Sequence, residues 1–303
     1  MATRSEASAK AAIREITTDH PHADIHFLQL DLAQLTSVQR CAEEFLSKES
    51  RLDVLLNNAG IMATPYMHTK DGLELQFGTN VMGHYLLTML LLPTLIKTSS
   101  LHEHTHAGSA TVRIVQIASV AHKFASSDTS FEHLDAVNKQ HWPEFKGTWN
   151  RYGKSKTANI LMANELPKYF PAGARVRSLS LDPGHVRTGL RRAPAESLGF
   201  IGPLLLKVAN AVSVAPEQGA LTQLYACTSP EADRLGRNET YLVPVAKLGK
   251  KSPLAADSRG VLGGDLFRFC NRFIKDKLGL SVTSYLSQAG VTTPAEHCET
   301  NDS

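Results

Sequence analysis

Apolar and polar positions along the chain alternate between two periodicities. Ala7, Ala11, Ile13 and Ile16 recur at helical intervals among Glu, Lys and Arg, which predicts a helix over 5–16 that His20-Pro21-His22 ends. Ile25–Leu30 is a short apolar run closed by Asp31-Leu32. Thr36–Leu46 places Val38, Cys41, Ala42, Phe45 and Leu46 on one helical face, with Thr36 at the N-cap position. Val54-Leu55-Leu56 then runs into Asn57-Asn58-Ala59-Gly60, the pattern of a parallel strand buried on both faces and ending in a polar turn. The order repeats with helix Leu73–Lys97, strand Val112–Ala118, helix Tyr152–Tyr169 and strand Val176–Leu181. Alternating strands and helices of this kind predict the α/β class, a parallel sheet with helices on both faces.

Two longer apolar runs are not membrane spans by this reading. Val81–Ile96 contains Gly83 and His84 and falls short of the roughly 20 residues a span needs. Leu198–Val214 is interrupted by Pro203 and Lys207; its composition suits at most peripheral contact with a membrane surface. The polar stretch Gln288–Ser303 is expected to be a disordered tail, which leaves 1–287 as one domain.

Composition narrows the function classes. Of the 303 residues 42% are hydrophobic and 20% charged, an ordinary globular mix that excludes collagenous, disordered and disulfide-stapled chains. The net charge is only +3, and no Lys/Arg cluster is present to track phosphates, so no nucleic-acid partner is expected. Cys41, Cys227, Cys270 and Cys298 lie far apart, as reduced thiols do in a reducing compartment. Met1–Ile13 is charged and lacks the apolar centre of a secretory signal, so a cytoplasmic location is expected. His102, His104 and His106 alternate without a carboxylate or helical spacing, and no metal site is expected there.

Strand ends at one edge of a parallel sheet converge on a crevice, where ligands bind. Asn58, Ser119, the segment from Tyr152 and Pro183-Gly184 all fall at such ends. Tyr152 and Lys156 are four apart and share a helical face. An ammonium beside a phenol favours phenolate, lowers its pKa and lets it exchange a proton near neutral pH. Ser119 supplies a hydroxyl to hold and polarise the same substrate oxygen. Each feature alone also fits a solvated helix face, a turn or a strand cap; their joint order carries the reading.

RLDVLLNNAGIM (51–62), Asn80 in TNVMGH, Ser119 in IVQIASVAH, YGKSK (152–156) and PGHVRT (183–188) together resemble the short-chain dehydrogenase/reductase family. The match is nearest to its retinol-dehydrogenase-like branch; it runs to about Leu280 and includes YLVPVAKLGKKSP (241–253). The resemblance implies a Rossmann-like doubly wound sheet and an NAD(P)-dependent oxidoreductase, with NADP first and NAD second as cofactor. It implies that Tyr152 exchanges a proton with the substrate oxygen, Ser119 orients that oxygen, Lys156 lowers the Tyr152 pKa and bonds the nicotinamide ribose, and Asn80 anchors a relay water. It further implies that Asn58, Ala59 and Gly60 lie along the adenosine ribose, that Asp31 stands beside the adenine, and that Pro183, Gly184, Val186 and Thr188 lie at the nicotinamide end. Arg4 falls where family members contact a 2′-phosphate, although an exposed helix-start arginine reads equally well.

On the substrate side, Phe124, Phe131, Trp142, Phe145 and Trp149 lie between Ser119 and Tyr152, as a lid or as surface packing. The apolar stretch 189–214 matches the region that closes over substrate in the family. Its character favours a small hydrophobic alcohol, ketone or aldehyde, and hence the biosynthesis of a hydrophobic metabolite. The assembly expected is a monomer, or a homodimer through the Tyr152 and Leu73–Lys97 helices.

One departure stands out. Family members open with a strand, a glycine-rich turn and a helix that cradle the pyrophosphate, whereas the first glycine here is Gly60. The fold expected is therefore N-terminally shortened, with the first strand, first helix and most of the second strand missing and Thr3-Arg4 as that second strand's tail. Val54–Leu56 then lacks a neighbour, and two outcomes are open: Ile25–Leu30 moves over to pair with Val54–Asn57, the one favoured, or a gap persists. Two functional readings follow: a shortened reductase, or a catalytically impaired homologue that binds a ligand or partner. Gly260, Gly263 and Gly264 follow no strand and read as a flexible turn.

Overall fold

The computed structural model describes residues 1–101, 111–186, 214–236 and 240–297. Strand β1 (Ala2–Thr3) leads into helix α1 (Glu6–Asp19), whose first turn is capped by the Ser5 hydroxyl accepting from the Ser8 N–H at 3.2 Å. Strand β2 (Leu28–Gln29), helix α2 (Leu35–Lys48) and strand β3 (Val54–Asn57) follow. Helix α2 takes no side-chain cap from Thr36 or Gln34. The Asp71 carboxylate instead accepts from the Leu35 N–H at 3.0 Å, a cap supplied from elsewhere in the chain.

Helix α3 (Leu75–Leu101) is long and apolar enough to cross a membrane, but it is mostly buried and serves as a core helix. Its second turn, Gly78–Met82, is a π turn. Strand β4 (Val112–Ile117), the short α4 (Leu134–Val137), α5 (Glu144–Glu165), β5 (Val176–Leu181) and α6 (Pro216–Thr228) complete the alternating part. Then come β6 (Thr240–Val243), β7 (Lys247–Leu248), α7 (Pro253–Ala256), α8 (Val261–Leu278) and α9 (Val282–Gln288).

The main sheet has the order β3-β4-β5-β6-β7, parallel except for antiparallel β7. Leu55 and Ile114 pair in register and point to the face covered by α3 and α5, behind which α8 and α9 pack. Val115, Ile117, Leu179 and Leu181 form a second core with Ala226 of α6 on the opposite face. Helices on both faces of a parallel sheet are what the alternating pattern predicted.

The structure departs from expectation in several places. Ile25–Leu30 does not pair with Val54–Asn57. Leu28–Gln29 pairs in parallel with Ala2–Thr3 as a separate two-stranded sheet, and among the described residues β3 has no strand neighbour on its outer side. The Met1 and Thr3 carbonyls accept from the Leu28 and Leu30 N–H groups at 2.9 and 3.1 Å, so the β1–α1–β2 crossover already satisfies that backbone. Helix α5 starts at Glu144, eight residues before Tyr152, and Phe131 is buried while Trp142 and Phe145 are exposed. Gly263 and Gly264 are not in a turn but inside α8; only Gly260, at φ +67°, takes the left-handed conformation, at its N-cap.

Residues 288–297 are not a loose tail. His297 is buried, its Nε2 lies 2.6 Å from Glu165 Oε2 and its Nδ1 3.1 Å from the Tyr169 hydroxyl, and its carbonyl accepts from Asn271 Nδ2 at 2.8 Å. Three buried partners, the Glu165 carboxylate, the Tyr169 hydroxyl and the Asn271 amide, anchor this end. The three-histidine stretch, Thr188 and the apolar segment 189–213 lie outside the described residues. Helices α3 and α5, named for a homodimer, pack against α2, α8 and α9 of the same chain, and α5 keeps Phe145 exposed.

Candidate active site

The C-terminal ends of β3, β4 and β5 and one face of α5 meet at a single place. Tyr152 and Lys156 are buried on α5, whose contact with β4 and β5 brings them under the strand ends. Lys156 Nζ donates to the Ile117 carbonyl at 2.8 Å and lies 5.6 Å from the centre of the Tyr152 ring. Asn159 Nδ2, one turn further along, donates to the same carbonyl at 3.0 Å. The carbonyl is accessible to both because β4 ends there, and the following Ser119 turns the chain into a 3-10 helix over Val120–Phe124.

Ser119 sits at the head of that turn in extended conformation. Its hydroxyl accepts from the Ala121 N–H at 3.2 Å and lies on the side of the Tyr152 phenol, whose charged form it favours. Gly153 allows the approach: a Cβ there would lie 2.6 Å from the Ala125 nitrogen and 2.7 Å from the Ala121 carbonyl, closer than real contacts allow. The residue after the tyrosine is therefore glycine because the serine turn lies directly against it.

Asn80 comes from the π turn of α3. Its side chain is fully engaged: Oδ1 accepts from the Ile61 N–H at 2.8 Å, and Nδ2 donates to the Ile61 carbonyl at 2.9 Å and the Ser155 hydroxyl at 3.0 Å. It thus ties the turn after β3 to α5. Over it stands Gly60, where a Cβ would be 3.0 Å from Asn80 Oδ1 and 3.7 Å from Lys156 Nζ. Bare backbone beside a buried ammonium is the kind of cradle a ribose hydroxyl fits.

The electrostatics of the pair run opposite to the sequence-based expectation. Burial pushes the Tyr152 phenol up to about 12; the Ser119 hydroxyl opposes this and nearby Asp182 adds to it. Burial likewise pulls Lys156 down to about 8, against the attraction of Asp182. Burial dominates both shifts: it holds the phenol up and the ammonium down. At neutral pH the phenol keeps its proton.

The cofactor-side residues are placed as follows. Asn58 and Ala59 are exposed and Gly60 half-buried at the end of β3. Asp31, half-buried after β2, accepts from the Ala33 N–H at 3.0 Å. Pro183 and Gly184 follow β5, with Gly184 at φ +81° and its N–H donating to Asp182 Oδ1 at 2.9 Å. Val186 bridges in parallel to Val214. A dinucleotide fits the end near Lys156 and Gly60. For its pyrophosphate the described residues offer no glycine-rich turn, since no glycine precedes Gly60.

Comparison with known proteins bears on this geometry directly. A sequence model of the family "short chain dehydrogenase" matches residues 1–130. The chain is 38% identical to an uncharacterised oxidoreductase of Schizosaccharomyces pombe, over 91% of this chain and 77% of that one. It is 37% identical to a short-chain dehydrogenase/reductase of Aspergillus calidoustus, over 91% and 85%. The chain belongs to the short-chain dehydrogenase/reductase family. Human retinol dehydrogenase 14 is 40% identical over 68% of this chain and 55% of its own length, which supports the retinol-dehydrogenase-like branch. Among solved structures, a Mycobacterium paratuberculosis protein superposes with TM-score 0.63 at 28% identity, covering 91% of this chain and 83% of that one. A gluconate 5-dehydrogenase from Burkholderia cenocepacia, solved with NADP and tartrate, shares the fold at TM-score 0.53 and 19% identity, over 80% and 82%. The chain is an oxidoreductase of this family, with a Rossmann fold.

Three residues of the site escaped the sequence reading. Asp182 is buried and supplies the negative charge facing Lys156 and Tyr152; its only signal was its place at the end of β5, before Pro183-Gly184. Asn159 lies three residues beyond Lys156 on the same helix. His122 stands three residues after Ser119, and its ring is buried behind the serine turn.

Proposed function

We propose that this chain interconverts a hydrophobic alcohol and its ketone or aldehyde, with NADP as the preferred carrier and NAD as the second. The meeting of Tyr152, the Lys156 ammonium 5.6 Å from its ring and the Ser119 hydroxyl at the end of β4 carries the reading. Tyr152, Lys156, Pro183, Gly184, Val186 and Thr188 would hold the nicotinamide half, Asn58, Ala59 and Gly60 the adenosine ribose, and Asp31 the adenine. A bound nicotinamide supplies hydride exchange with the substrate carbon. Ser119 holds the substrate oxygen against Tyr152, and the protonated phenol donates to that oxygen as the carbonyl is reduced. Lys156 keeps a positive charge behind the phenol as it loses its proton. Asn80 holds Gly60 and α5 in register through Ile61 and Ser155.

The substrate side is apolar. Trp149 meets Tyr152 edge-on at 6.2 Å between ring centres, and Phe124 meets Trp149 at 6.1 Å, so an aromatic strip leads outward from the phenol. This supports a small hydrophobic substrate, formed or consumed in the cytoplasm by one domain that takes in the anchored residues 288–297. The test is Tyr152→Phe assayed by NADPH consumption with apolar aldehydes and ketones. Turnover should fall by about 10²-fold or more, while the NADPH fluorescence titration stays unchanged. Equal turnover in the variant would remove Tyr152 from the chemistry.

A second reading rests on the β3 flank. There Asn58 and Ala59 are exposed, and among the described residues no glycine-rich turn stands ready for a pyrophosphate. On that reading the chain binds a ligand or partner without redox turnover. Absence of NADPH binding in the titration would favour it.

A further inference from the structure

We propose that His122 is the positioning residue that fixes the Ser119 turn against Tyr152, a role that rests on the oxidoreductase reading above. The ring is buried. Nδ1 lies 2.7 Å from the Ser119 carbonyl, and Nε2 accepts from the Ser252 N–H at 3.0 Å. A backbone amide only donates, so Nε2 carries the lone pair. Nδ1 then carries the hydrogen and donates to Ser119. Both partners select the same tautomer.

The Ser119 carbonyl is thereby held twice, by the ring and by the His122 N–H at 3.0 Å, while Thr157 Oγ1 on α5 donates to the His122 carbonyl at 3.2 Å. The edge of the ring meets Tyr241 of β6, 5.2 Å between centres and 79° between planes. The imidazole thus joins the serine turn, β6 and the start of α7, and the backbone of the same residue ties in α5. Fixing the Ser119 carbonyl fixes the peptide frame from which its hydroxyl reaches the phenol. That matters because a small misplacement of a reacting group lowers rate far more than affinity.

The neutral ring is favoured by its surroundings. Burial pulls the His122 pKa down and Lys123 adds to this; the Ser119 hydrogen bond and Asp182 oppose it. An imidazolium would set a second N–H against the Ser252 N–H.

The test compares His122→Phe, which keeps a ring without nitrogen, with His122→Asn, which keeps a donor near Nδ1, and His122→Gln, whose amide reaches only toward Nε2. Each is assayed at equal folded fraction with NADPH and an apolar aldehyde that the wild type reduces. The expected result is a fall in kcat of about 10-fold or more in the Phe and Gln variants, KM within about twofold, and recovery of most of kcat in the Asn variant. Wild-type kcat in His122→Phe, or equal recovery by Asn and Gln, would overturn the proposal while leaving the oxidoreductase reading intact. If His122→Phe does not fold, the Asn-against-Gln comparison alone decides. A wild type that turns over no carbonyl compound removes the reading, and this proposal with it.

Discussion

Leu56 of β3 and Val115 of β4 are register partners on one face of the same sheet, yet Leu56 is 37% exposed and Val115 0%. The difference lies in what covers them. Helix α6 lies over β4 and β5 and closes the second core there, and among the described residues nothing equivalent lies over β3. The half that holds Ser119, Tyr152 and Lys156 is thus packed on both faces. The flank that would take the far end of a dinucleotide is a strand with one covered face and one strand neighbour. The proton machinery is a product of the core. The cofactor flank is not, and stability and cofactor affinity should respond to different substitutions.

Three expectations sharpen this contrast. The largest concerns the register pair itself. Val115→Asp buries an unpaired charge and should cost more than about 4 kcal/mol, enough to prevent folding, whereas Leu56→Asp should stay within about 1 kcal/mol. Urea unfolding of both variants measures this, and comparable losses would show that β3 is covered after all.

The next concerns pH. The folded chain holds Lys156 at about 8 against an ordinary 10.5, so the unfolded chain binds that proton more tightly, and stability rises with pH between those values. Lys154, also pulled down to about 8 by burial, acts in the same direction. Tyr152, pushed up from 10.0 to about 12, acts oppositely above pH 10.0. Lys156→Met should therefore flatten the rise by up to about 3 kcal/mol. Denaturant midpoints read from pH about 8 to about 10 would show it, and an unchanged slope would mean that the lysine stays hydrated.

The smallest effect separates the two glycines. Gly153→Ala drives a methyl into the backbone of the serine turn and should cost about 1–3 kcal/mol together with most of the turnover. Gly60→Ala presses a methyl on the Asn80 side chain, 3.0 Å from Oδ1, rather than on backbone, so it should cost less stability than Gly153→Ala and weaken NADPH binding instead. Thermal melts and fluorescence titrations on the two variants separate the effects; equal destabilisation would erase the distinction.

Much of this was readable in the residue pattern. Strand β5 spans Val176–Leu181 as predicted, β3 and β4 match to within a residue, and α3 is a buried core helix despite its apolar length. Local periodicity suffices where a segment is buried along its whole length. It failed at Gly263 and Gly264, because weak helix formers are carried by packing: a Cβ at Gly263 would lie 2.8 Å from Glu165 Cγ, so only glycine lets α8 and α5 approach. It failed again at His297, whose role depends on Glu165 and Tyr169, more than a hundred residues away in sequence.

The sequence by itself determined the α/β alternation, the ends of the strands and the i,i+4 placement of Tyr152 and Lys156, since all three follow from short-range geometry. Only the tertiary structure decided that β2 pairs with β1, that His122 and Asp182 belong to the site, and that the phenol is held up at about 12 rather than made acidic. Strand pairing, burial and the balance between desolvation and charge depend on residues distant in the chain, and no local pattern contains them.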